Sequence, residues 1–154
     1  MRRLFAFTTV LAALCAPAAA GGVLGVAAAS SKSSSGSTFV RNANRQCAAA
    51  AARVMALPPA KKKNVVSELR KVASIVSSLV ANLRKVKAPP AKAAAYRTFL
   101  ATTQKQVAEA RAVASALQAH QTKKALAILK TAAQDGARSD RQASALGLSA
   151  CAKI

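Results

Sequence analysis

The chain has 154 residues, 53% of them hydrophobic and only 3% aromatic, with 24 Lys and Arg against 4 Asp and Glu and a net charge of +20. That length bounds it to one small domain, and four acids with a single histidine exclude a carboxylate-rich metal centre. An alanine-dominated composition with few β-branched or aromatic runs selects an all-α fold, because alanine enters a helix at no side-chain entropy cost.

Residues 1–29 predict a signal peptide. Arg2 and Arg3 form the positive start, Leu4 to Leu14 the apolar run, and Ala16-Pro17-Ala18 a small-x-small cleavage pattern; Ala18-Ala19-Ala20 and Ala27-Ala28-Ala29 serve equally well. An uncleaved anchor is the alternative, since no charge interrupts residues 4–31, a stretch long enough to span a bilayer. Pro17, Gly21, Gly22 and Gly25 disfavour one regular spanning helix there. A lipidated form would carry its acyl group on Cys15, although Leu14 is bulkier than the residue normally found before an acylated cysteine. Residues 30–38, a Ser-rich stretch with Lys32 and Gly36, read as a flexible linker.

Residues 39–154 predict an up-down-up-down four-helix bundle. The first helix is capped by Ser37 or Thr38 and runs to Leu57, burying Phe39 or Val40, Ala43, Cys47, Ala50, Val54 and Leu57. Pro58-Pro59 and Pro89-Pro90 punctuate the chain, because proline is tolerated only in a helix's first turn. Between them Val65, Leu69, Val72, Val76, Leu79, Leu83 and Val86 recur at alternating four- and three-residue spacing, with Val66, Ala73 and Val80 widening the stripe. This is a long amphipathic helix. The third helix follows Pro90 and buries Tyr96, Leu100, Thr103, Val107, Ala110, Ala114 and Leu117, with Phe99 and Val113 alongside. The fourth, from about Thr122, buries Leu126, Leu129, Ala132 and Ala133, has a candidate interruption at Gly136, and continues with Ala143 and Leu146. Gly147 is its left-handed cap and Leu148 the apolar contact that accompanies such a cap.

Once Cys15 leaves with the signal, Cys47 and Cys151 form an even pair in an oxidising compartment. The topology returns the end of the fourth helix to the start of the first, so a disulfide between them is geometrically reasonable. Closing a loop of about 100 residues contributes roughly 4–5 kcal/mol by the chain-entropy model.

Chemistry is sparse. His120 has no acid at ligand or catalytic spacing, and the serines lack a base. No Cys-x-x-Cys-His attaches a haem, and Gly21, Gly22 and Gly25 belong to the signal. The expectation is no enzyme and no cofactor.

Charge remains: losing Arg2 and Arg3 lowers it only from +20 to +18. Lys61, Lys62, Lys63, Lys123 and Lys124 fall at one end of the expected bundle. Arg84, Lys85, Lys87 and Lys92 fall at the other, near Arg41 and Arg45, while Ser74, Ser77, Ser78, Ala81 and Asn82 give the second helix a neutral waist. These cations are the candidate anion-binding residues, and their partner would be an anionic cell-wall polymer or membrane surface. Nucleic acid conflicts with export, and base-stacking aromatics are nearly absent. A protein partner on the neutral waist, or a small apolar ligand held between loosely packed alanine seams, are the rival readings.

With Cys47, the two proline pairs and the ending Ala145-Leu146-Gly147-Leu148-Ser149-Ala150-Cys151, the chain resembles small exported bacterial proteins whose helical bundle is bracketed by an early Cys and a terminal Leu-Gly-Leu-x-x-Cys. The resemblance covers about residues 39–152. It implies the bundle and carries over no activity or site residue.

Overall fold

The computed structural model describes residues 31–61 and 63–153, and the signal segment expected at 1–29 lies outside them. Among the described residues the fold is all-α: α1 (Ser31–Met55), α2 (Val65–Leu83), α3 (Pro90–Gln118) and α4 (Thr122–Leu146), ending in a 3-10 turn, Cys151–Lys153. The first turns of α1 run through the Ser-rich segment, where a Cβ on Gly36 would meet nothing within 4 Å.

Proline shapes two of the three connections. Pro90 is the first residue of α3, where its missing N–H costs nothing. Pro58-Pro59 follow α1, but α2 starts only at Val65, after a turn in which the Asn64 side chain accepts the Lys61 backbone N–H.

The helices pack in series, α1 on α2, α2 on α3 and α3 on α4. α1 and α4 are joined chiefly through the terminal turn, which packs on α1. There Cys47 and Cys151 form a disulfide across 104 residues of chain, with Cα atoms 5.0 Å apart. Asn44 reinforces the join: its Nδ2 donates to the Gly147 carbonyl at 3.3 Å, and its Oδ1 accepts the Ala150 N–H at 2.9 Å. Gly147 has φ 81°, and the Leu148 N–H reaches back to the Ala143 carbonyl at 2.8 Å, a Schellman cap with Leu148 fully buried beneath it.

The main core lies at this disulfide end. Phe39, Ala43 and Cys47 meet Leu79 and Leu83, Tyr96 and Phe99, and Ala143, Leu146 and Leu148. Phe39 stands edge-on to Tyr96, ring centres 5.0 Å apart. The Tyr96 hydroxyl donates to the Leu83 carbonyl at 2.7 Å, and burial pushes its pKa up to about 12. A smaller cluster of Val113, Ala116 and Ala125, flanked by Leu69, Leu117 and Ile128, holds the far end without α1.

Helix α4 differs from its sequence reading in two ways. It runs unbroken through Gly136, and its buried stripe is not the expected one. Leu126 and Leu129 are 60% and 44% exposed, while Ala125, Asp135, Ser139, Ala143 and Leu146 are buried. The reason is rotational. At about 100° per residue, Leu126 and Leu146 point roughly 200° apart, so both cannot face inward. The cap, Leu148 and the disulfide pin the Leu146 side, and that turns the leucines out. In α2, Leu79 and Leu83 are buried as the seam requires, whereas Val65, Leu69, Val72 and Val76 are only half-buried, and Val86 falls beyond the helix end.

Candidate functional site

The structure buries three of the four carboxylates. Glu68 is 6%, Glu109 9% and Asp135 5% exposed, and only Asp140 is exposed. Glu68, in the first turn of α2 where the helix dipole favours an acid, accepts Lys71 at 2.9 Å. Glu109 of α3 and Asp135 of α4 meet around Lys105, whose ammonium lies 2.6 Å from Asp135 and 3.7 Å from Glu109, with Arg138 4.0 Å from Asp135. Burial, then the neighbouring Asp135, pushes the Glu109 pKa up; the Lys105 hydrogen bond holds Asp135 down. Glu109 and Asp135 lie 26 positions apart in the chain, so their pairing is not visible in the sequence. The available signal was Asp135's place in line with Ala125, Ile128, Ala132 and Ser139, three or four residues apart.

Around these internal acids the surface is cationic. Lys61 and Lys63 are exposed in the α1–α2 connection, and Lys123 and Lys124 in the first turn of α4; Lys62 lies outside the described residues. Both segments sit near the end of α3, because Leu69 and Ala125 join the Val113 and Ala116 cluster. At the disulfide end Arg84, Lys85 and Lys87 are exposed after α2, and Lys85 and Lys87 share a shallow groove with Arg45. Lys92 is engaged otherwise: its ammonium donates to the Leu146 carbonyl at 2.9 Å, satisfying the end of α4. The exposed face of α2 does present Ser74, Ser78, Ala81 and Asn82. The cations nevertheless are not confined to two ends. Arg97, Lys105 and Arg111 along α3, and Lys130, Arg138 and Arg141 along α4, are exposed as well. Leu126 and Leu129 stand on the outward part of α4 beside Lys123 and Lys130.

A second feature lies inside. α2 and α4 scarcely touch, and between them, floored by α3, is a cavity of about 340 Å³ closed at one end by Cys47 and Cys151. Val72, Val76, Leu79 and Val107 line it, with Thr103, Gln106, Ser139 and Asp140 as its polar groups.

His120 is exposed in the α3–α4 turn with φ 57°, and the Gln121 N–H closes on the Ala116 carbonyl at 2.8 Å, so this histidine serves as the left-handed cap of α3. Among the described residues no group of three or more His, Cys, Asp and Glu could hold a metal ion, and no helix is long and apolar enough to cross a membrane. Comparison with known families, curated proteins and solved structures finds no match to this chain.

Proposed function

We propose that the protein is an exported, non-enzymatic module of the cell envelope that docks on anionic wall polymer or phospholipid headgroups through its Lys and Arg side chains. The observation that carries this reading is the fate of the acids. With Glu68, Glu109 and Asp135 buried, solvent meets a cationic surface relieved by one side-chain carboxylate, Asp140. Such a field attracts polyanions, and each Lys or Arg near an anionic bilayer contributes about 1 kcal/mol. Export is supported by the Arg2-Arg3 and Leu4–Leu14 pattern and by a disulfide of the kind oxidising compartments maintain.

Leu126 and Leu129 favour the phospholipid over the polymer. An exposed leucine pair flanked by Lys123 and Lys130 suits an interface with acyl chains below and phosphates above. The test is co-sedimentation of the purified protein with phosphatidylglycerol/phosphatidylcholine vesicles across a salt series, beside binding to soluble polyphosphate. The expected result is vesicle binding that weakens steeply with salt and is reduced severalfold in the Leu126→Ser/Leu129→Ser variant, with polyphosphate binding unchanged. Absence of salt-sensitive binding to both anions overturns the proposal. An undiminished double variant shifts the reading to the polymer.

A further inference from the structure

We propose that the hollow between α2, α3 and α4 is a binding site for a small apolar molecule that ends in a hydroxyl or amino group. The site is independent of the anion-binding surface. Its volume of about 340 Å³ falls within the range of small-molecule pockets.

Three observations converge on it. First, the most regular apolar seam of the chain directs Val72 and Val76 into this space, and the fold leaves both half-buried. Apolar surface has been placed there and not covered by a helix, and an unfilled apolar space forfeits packing contacts.

Second, Gly136 lines the cavity in the middle of α4, where glycine weakens a helix relative to alanine. Neither backbone nor crowding asks for it. Its φ is not in the left-handed region, and a Cβ would meet only Gln106 Nε2, at an ordinary 3.6 Å. What the glycine does accomplish is to keep the space open.

Third, the polar groups define which end of a ligand they can receive. Thr103 and Ser139 are both 6% exposed, with hydroxyl oxygens 3.4 Å apart. The Thr103 hydroxyl donates to the Phe99 carbonyl at 2.9 Å, so Ser139 donates to Thr103 and keeps its own lone pairs for a ligand donor. Asp140, the exposed carboxylate, stands at the rim of the same cavity. A carboxylate there repels an anionic head and accepts a hydrogen bond from a hydroxyl or an ammonium. Thus the inside of the bundle selects against the charge that the outside attracts.

The test uses the purified, oxidised protein and the uncharged fluorophore N-phenyl-1-naphthylamine, competed with 1-decanol, decylamine and decanoate. Saturable brightening is expected, with decanol and decylamine at least tenfold more effective competitors than decanoate. Asp140→Asn should narrow that gap. Ala132→Phe and Gly136→Leu, which fill the hollow, should each weaken probe binding about tenfold or more while the helical spectrum is retained; Met55→Ser, 83% exposed and outside the hollow, should leave probe binding unchanged. Absence of saturable brightening, or undiminished binding in a folded filled variant, overturns the site. Decanoate competing as well as decanol overturns the ligand class, and this comparison requires no variant to fold.

Discussion

The two ends of the bundle are built from the same alanine-rich material and hold together differently. At the disulfide end four helices converge, and Phe39, Leu83, Tyr96, Phe99, Leu146 and Leu148 form one core. At the other end α1 takes no part, and Val113, Ala116 and Ala125 make a small cluster; the hollow lies between the two, starting against Cys47, Leu79, Phe99 and Cys151 of the main core. The seam of α2 records the contrast along one helix: Leu79 and Leu83 are buried, while Val65, Leu69, Val72 and Val76 are half-buried. With so few large side chains, the fold concentrates Phe39, Tyr96, Phe99 and its covalent link at one end, and the other end is held by a small cluster alone. Packing is thereby graded along the bundle axis, and the hollow begins directly against the disulfide that anchors its well-packed end.

The largest expected effect breaks the covalent half of that contrast. Reducing the Cys47–Cys151 bond, or Cys151→Ser, should cost about 4–5 kcal/mol and lower Tm by roughly 15 °C, read by thermal melts with and without reductant. Next is the aromatic anchor: Phe39→Ala should cost about 3–5 kcal/mol in denaturant unfolding. Leu117→Ala, half-buried at the far end, should cost under about 2 kcal/mol, and equal costs would erase the distinction.

A gain is expected at the hollow. Gly136→Ala should stabilise by about 1 kcal/mol, because α4 loses a glycine and the new methyl meets only ordinary contact. Smallest is a pH effect at the α3–α4 interface. Glu109 has a raised pKa in the folded chain, so its ionisation opposes folding as pH climbs past the ordinary carboxylate range. Glu109→Gln should therefore raise Tm at pH 7, with the gain shrinking towards pH 4. Asp135 runs the other way: its lowered pKa gives stability that is present above about pH 4 and lost on further acidification, so Asp135→Asn should destabilise at pH 7.

Much of the fold was legible in the chain. The heptad spacing of α2, Pro90, Gly147 and the cysteine pair each have a local physical cause, and all four appear in the structure as helix, first turn, cap and disulfide. The rotation of α4 was not legible. Leu126 and Leu129 are better core residues than Ala125 and Asp135 by hydropathy, and only the tertiary anchor at Leu146 and Cys151 decides between the two stripes. The same blindness hid the Glu109–Asp135 pair, since an acid in a helix reads as solvent-facing until a neighbouring helix brings a lysine and a second acid to it. The hollow had a trace in the sequence, a glycine in mid-helix, but its cause lies in how far α2 stands from α4.

The difference between the ends is tested most directly by native-state hydrogen exchange on the oxidised protein. Amides of residues 43–47, 96–100 and 143–148 should be the slowest, exchanging only through global unfolding. Those of residues 66–72 and 125–132 should exchange faster, through local opening of the far end. Uniform protection across both groups, or slower exchange at residues 66–72 than at 43–47, would contradict the account.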